Sequence, residues 1–233
     1  MLDINRHRYY LVQILKDIYS DLELANCLGF KGGTALMFFY DLPRFSVDLD
    51  FDLLQNDAYD LVYDKLRGIV ENYGTVFDEA KKHFGPIIVL DYGVGERKLK
   101  LEISTRKFDN RYEIKNLLGF NVRVMLVSDM FAHKLCALLD RTTSTNRDIF
   151  DVWFFMQAKT PVNKKLIELR MDVPYEKYID QCIKHLESKK NKRLLDGLGE
   201  LMDPGLIPFV RTKLLPETIG LLQFYKRYPI FSE

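Results

Sequence analysis

Phe30 to Leu54 reads FKGGTALMFFYDLPRFSVDLDFDLL, a glycine pair followed by three aspartates at alternate positions, Asp48, Asp50 and Asp52. Successive side chains of an extended chain point to opposite faces. The stretch SVDLDFDLL therefore predicts a half-buried strand, with Val47, Leu49, Phe51 and Leu53 on one face and the carboxylates on the other. Asp48 and Asp50 then lie roughly 7 Å apart along the strand, near enough to hold one or two divalent cations. Without compensation they repel and one carboxyl pKa rises, so a metal, a basic neighbour or full solvation must balance them. A plainer alternative is an edge strand that wears acidic residues against edge pairing.

Three neighbouring features favour the metal. Gly32 and Gly33 stand between an apolar strand at Cys27 to Phe30 and a helix from Thr34 to about Tyr40, where bare backbone N–H groups can approach a phosphate. Ser46 adds a hydroxyl just before the aspartates. KLKLEIST, Lys98 to Thr105, also alternates, with Leu99, Leu101 and Ile103 inward and Glu102 opposite, beside Lys100 and Ser104. Glu102 is a third carboxylate if its strand neighbours the aspartate strand, whereas Asp52 reads as solvated.

With 233 residues, 47% hydrophobic and 29% charged, the chain is long enough to bury a sizeable core. Charges every few residues near the start, and no apolar run of roughly 18 residues, argue against a signal peptide or membrane span. A cytoplasmic protein is expected. Cys27, Cys136 and Cys182 are far apart and odd in number, which fits buried thiols rather than disulfides or a zinc site. Residues 1–80 carry 7 basic and 14 acidic side chains, net −7, and the rest is net +8. Either solvated helices drew different charges, or an acidic half that holds cations adjoins a basic half that meets a polyanion. The densest basic run is KKNKR, Lys189 to Arg193.

Element types alternate before residue 125 and are helical after it. Apolar positions from Tyr10 to Leu22 recur at three and four, predicting a helix from Arg6 to about Ala25 capped by Asn5. Residues 58–72 return to helical spacing; strands are expected at TVFDEAKKHF, PIIVLDYG, KLKLEIS and NVRVMLV, with turns at Gly85-Pro86 and GVGE. Helix breaks are expected near Thr142 to Asn146, at Pro161, around Pro174 and at Asp203-Pro204-Gly205. The expected organisation is α+β, with a mixed-sheet domain over 1–125 and a helical domain over 126–233. Trp153, Phe154 and Phe155 read as packing, and the four histidines are too scattered to suggest a metal pair.

The order glycine pair, helix, D-x-D strand and later strand carboxylate resembles the polymerase-beta-like nucleotidyltransferase superfamily. FKGGTAL followed by RFSVDLDF resembles, within it, the AbiEii/AbiGii nucleotidyltransferase toxins. A second block, HKLCALLDRTTSTNRDIFDVW, is similar to that family's lysine, arginine and arginine-aspartate-x-x-aspartate pattern. Read alone, Lys134 and Arg141 lie seven apart on one helix face, Asp148 and Asp151 lie three apart on another, and Arg147 is spaced to pair with Asp151 as a helix-surface ion pair. The resemblance implies more: Lys134 meets a nucleoside triphosphate, and Asp148 is a second essential acid that orients it, with Asp151 the other contender.

The resulting expectation is nucleotidyl transfer from an NTP. Asp48, Asp50 and Glu102 hold Mg²⁺ or Mn²⁺, while Gly32, Gly33, Thr34, Ser46 and Lys134 bind the nucleotide. Asp48, Asp50, Lys134 and Asp148 are the catalytic set. The resemblance further implies the toxin of a toxin–antitoxin pair, a cognate antitoxin, and an RNA acceptor with the tRNA 3′ end as the candidate. Two rivals are a small-molecule nucleotidyltransferase and a non-catalytic nucleotide-binding protein on the same scaffold.

Overall fold

The computed structural model of the protein describes residues 3–140, 146–189 and 193–232. The chain forms two compact units. One comprises Met1–Asp41, Phe45–Lys107 and Arg111–Met125, the other Leu42–Arg44, Phe108–Asn110 and Leu126–Glu233.

The first unit contains α1 (Ile4–Ser20), α2 (Leu22–Cys27), β1 (Leu28–Lys31), α3 (Gly32–Phe39), β2 (Asp48–Leu53), α4 (Tyr59–Glu71), β3 (Thr75–Lys82), β4 (Gly85–Asp91), β5 (Leu99–Ser104), β6 (Tyr112–Leu117) and β7 (Phe120–Met125). Its seven strands run in the order β3-β4-β5-β2-β1-β7-β6. The β2–β5 and β1–β7 pairs are parallel and the others antiparallel, so the sheet is mixed and the fold is α+β as expected. Phe30, Leu49, Phe51, Leu101, Ile103, Ile88 and Val124 are buried on one face of this sheet. There α1 lies against β2 and β7, and α4 against β3 and β4. A slip of one residue in β2 would bury its aspartates in that core, so the hydrophobic pattern fixes the register.

The helix expected from Arg6 to Ala25 is two helices. Asp3, not Asn5, caps α1, its carboxylate accepting from the Arg6 N–H at 3.0 Å. Asp21 ends α1 and caps α2 through the Glu23 and Leu24 N–H groups. A carboxylate at a helix N-terminus is doubly favoured, by hydrogen bonding and by the helix dipole. Gly85-Pro86 is not a turn: the turn is His83-Phe84, and Gly85 and Pro86 open β4, paired with Lys82 and Lys81. Strand β6 has no counterpart in the expected elements.

The second unit contains α5 (Val127–Asp140), α6 (Asn146–Gln157), α7 (Lys164–Met171), α8 (Tyr175–Ser188), α9 (Ile207–Thr212) and α10 (Leu214–Arg227). Pro161 falls between α6 and α7, Pro174 caps α8, and the Asp203 carboxylate takes the Gly205 N–H at 2.7 Å where a short 3-10 turn begins. Phe131 stacks on Phe155 in the core at 4.9 Å, while Trp153 and Phe154 are half-buried. The expected break from Thr142, Arg141 itself, and Lys190 and Lys192 of the basic run lie outside the described residues. All three cysteines are buried free thiols. Among the described residues, no helix is long and apolar enough to cross a membrane.

Candidate active site

The sheet order brings β5, some fifty residues further along the chain, beside β2. Their parallel register sets Asp48 opposite Lys100 and Asp50 opposite Glu102, so all four side chains share the face turned away from the buried core. Gly32, the first residue of α3, has φ +82°. A β-carbon there would fall 2.3 Å from Asp50 Oδ2, so only glycine lets the helix start against this carboxylate. The free N–H groups of that first turn open beside Asp50. Gly33, Thr34 and Ser46 are buried. Thr34 donates its hydroxyl to the Asp48 carbonyl, which braces the start of β2.

Electrostatics single out Asp50. Burial first, and the Asp48 charge second, push its carboxyl up to about 6 against the opposing pull of Lys100. Glu102 goes the other way: burial would raise its pKa, but the Lys100 ammonium at 2.7 Å outweighs this and keeps it below the ordinary value. Clustered carboxylate oxygens are the donors Mg²⁺ or Mn²⁺ takes, and a carboxyl raised by burial beside like charge is one that a divalent cation would ionise. Asp48 and Asp50 therefore fit such an ion, with Glu102 joining once released from Lys100. Among the described residues, no group of three His, Cys, Asp or Glu side chains is set to hold a metal as the side chains stand.

Asp52 is not solvated: it is 4% exposed, pairs with the Lys31 ammonium and accepts from the Tyr112 hydroxyl at 2.7 Å. Its neighbour on β1 is Gly29, where a β-carbon would stand 2.2 Å from the Tyr112 ring. The missing side chain admits the tyrosine, which covers the aspartate. His7 is a further buried residue that the scattered-histidine reading passed over. Its Nε2 lies 2.9 Å from the Val47 carbonyl and its Nδ1 2.5 Å from the Tyr92 hydroxyl, partners that a neutral ring protonated at Nε2 satisfies together. Burial lowers its pKa, in keeping with that form. The signal was available, since His7 continues the stripe of Leu11, Ile14, Leu15 and Ile18 on α1.

In the second unit four charges close on one another. The Lys134 ammonium on α5 lies 3.2 Å from Asp148 and 2.8 Å from Asp151, both on α6. Arg44 grips Asp151 with two nitrogens, each at 2.7 Å. Asp151 thus pairs with Arg44 and Lys134, where helical spacing had suggested Arg147. Burial would raise the Asp151 pKa, but Arg44 and then Lys134 outweigh it and hold the carboxyl at about 2. Burial would likewise strip the Lys134 proton, and Asp151 and Asp148 instead keep the ammonium charged. Arg44 stands in the RFS of the opening stretch, but nothing in its local spacing connects it to a helix more than a hundred residues later.

No curated protein matches the chain. Solved structures that share its fold include JHP933 from Helicobacter pylori, at 22% identity and TM-score 0.58 over 98% of this chain and 95% of that one, and MenT4, a nucleotidyltransferase toxin from Mycobacterium tuberculosis, at 17% identity and TM-score 0.62 over 99% and 89%. The family model described as nucleotidyl transferase AbiEii toxin, type IV TA system, matches residues 13–212. On a match that spans most of the chain, the protein belongs to the AbiEii family of nucleotidyltransferase toxins, enzymes that use a nucleoside triphosphate and are paired with an antitoxin.

Proposed function

We propose that this enzyme transfers a nucleotide from an NTP to the terminal hydroxyl of an RNA, the tRNA 3′ end being the candidate acceptor, in the cytoplasm where both substrates are found. The observation that carries the reading is the β2–β5 register, which sets Asp48, Asp50 and Glu102 on one face against the glycine start of α3. Asp48, Asp50 and Glu102 would hold Mg²⁺ or Mn²⁺. When bound, such an ion lowers the pKa of an attacking hydroxyl and offsets charge on the departing pyrophosphate.

The chain's own groups bind and orient. Gly32 and Gly33 offer N–H groups to the phosphates, with Ser46 at the same corner; Thr34 acts through the Asp48 backbone. The acceptor oxygen bonds the α-phosphorus as the bond to pyrophosphate breaks, and the hydroxyl proton passes to water. The role of Lys134 as a cation for the triphosphate rests on the resemblance of its sequence block; Asp148 and Asp151 keep it charged and oriented.

Incubation with each labelled NTP, Mg²⁺ and total RNA tests the reading. Label should enter RNA with wild-type protein and not with Asp48→Ala. Turnover of NTP with no RNA labelled would transfer the proposal to a small-molecule acceptor, and absence of any turnover would end it.

A further inference from the structure

The face that carries Asp48, Asp50 and Glu102 does not stop at β5. Register continues it to Ile87 and Val89 on β4, which pair with Glu102 and Lys100, and on to Asp78 and Lys82 at the β3 edge. These positions line a cleft of about 590 Å³ that has Glu102 and Lys100 at one end and the His83-Phe84 turn and Arg106 at the other. Its floor is apolar and half-exposed at Ile87 and Val89. Phe84 is 53% exposed at the hairpin tip, and the Arg106 guanidinium lies 4.7 Å from its centroid.

We propose that this cleft receives the acceptor as a single-stranded nucleic-acid end, with a base on the Phe84 ring, backbone phosphates at Lys82 and Arg106, and the terminal hydroxyl directed to Glu102. The inference deepens the reading of the function given above and rests on it for the identity of the acceptor.

Three observations carry it. The lining sets Lys82, Lys100 and Arg106 against Asp78 and Glu102, with the Phe84 ring half-exposed beside them, and a single strand binds where cations meet its backbone and a ring stacks its bases. The cleft has room for a nucleotide or two but not for a double helix. Finally, β1 and the start of α3 flank β2 on one side while β5 flanks it on the other. Triphosphate and acceptor can therefore reach the aspartates from opposite directions without competing. Asp78 and Glu102 are the acidic groups in the lining. Asp78 sits at the outer edge, and Glu102 is the residue assigned to metal.

Binding of a fluorescent single-stranded 12-nucleotide RNA, measured without NTP across a salt series, tests the proposal separately from catalysis. Phe84→Ala should weaken binding by roughly 10- to 100-fold, the range for one lost stacking partner, and Phe84→Trp should preserve it. Replacing Lys82 and Arg106 together by Ser should flatten the salt dependence by about 1.4 in log–log slope, the value for two phosphate contacts on a single strand. Binding of the Mg²⁺–NTP complex should be unchanged in all three. Superimposable RNA isotherms for wild type and variants would overturn the assignment of the cleft, and so would a wild-type protein that binds NTP but no RNA. Failure of the transfer reaction itself would appear as unlabelled RNA in the previous assay while these isotherms still separated.

Discussion

The first residue of α3 and the central aspartate of β2 are in contact so close that a single added carbon at Gly32 would stand 2.3 Å from Asp50 Oδ2. The same glycine has a left-handed φ of +82°, where a side chain costs roughly 1 kcal/mol or more. Gly32→Ala should therefore displace Asp50 and lower nucleotide transfer by about two orders of magnitude, the scale of a misplaced reacting group. Steady-state transfer and urea unfolding on the same preparation check this, and wild-type turnover would show that the contact has no catalytic part.

Asp50 gives the metal-free protein a distinctive pH response. Its folded pKa of about 6 lies above the value of about 3.9 for an unfolded aspartate. Between those values the folded state binds more protons, so the Asp50 contribution to stability declines as pH rises from about 4 to about 6 and stays low above that. Asp50→Asn should stabilise the chelator-treated protein at pH 7.5 by about 1–2 kcal/mol while abolishing transfer. Unfolding free energies from pH 4 to 8 should converge for wild type and variant toward the acid end; parallel curves would contradict the assignment.

Asp151 should behave in the opposite sense. Its folded pKa of about 2 is depressed, so the stability it contributes is full above the unfolded value near 4 and drains away as pH falls toward 2. Arg44→Ala leaves the buried Asp148 and Asp151 carboxylates to share Lys134, an excess of one negative charge, and should cost about 3–5 kcal/mol. Asp151→Asn should remove much of the acid-sensitive component. Thermal unfolding at pH 2.5, 4 and 7 for the three proteins separates these expectations.

His7 acts through Val47, the residue before Asp48. His7→Phe keeps the ring volume but strands the Val47 carbonyl and the Tyr92 hydroxyl, at a cost of about 1–3 kcal/mol. As a positioning residue it should lower kcat with little change in KM for NTP, and His7→Gln, which can still donate to the carbonyl, should recover part of the loss. Equal proportional changes in kcat and KM for both variants would reduce its part to packing.

The elements that local pattern reveals are those whose two faces differ most. Strands β2 and β5 alternate cleanly because one face is core and the other is charged, so the shared orientation of Asp48 and Asp50 could be read from spacing. Strand β6 escapes because, at the sheet edge, hydropathy does not follow burial: Glu113 and Lys115 are half-buried while Ile114 is exposed. Asp52 misleads for a tertiary reason: the tyrosine that covers it is sixty residues away, admitted by a glycine on a neighbouring strand. Which strand lies beside β2 is likewise a matter of sheet order, so Glu102 opposite Asp50 is visible only in the fold. Arg44 and Asp151, 107 positions apart, meet through that same non-local geometry.

The two compact units are not laid end to end along the chain. Leu42–Arg44 and Phe108–Asn110 leave the sheet unit to join the helical one and then return. The first excursion delivers Arg44 to Asp151; the second brings Asn110 to His133 at 2.7 Å and Phe108 to the Arg170 guanidinium. No single cut, whether by a protease or at a recombination boundary, can therefore free one unit whole. A fragment ending at Met125 would carry six residues of the other unit and strand Arg44 without its carboxylate. The stretch between the glycine pair and the aspartates thus lends three of its residues to the helical unit, and a boundary drawn by sequence position alone divides both units.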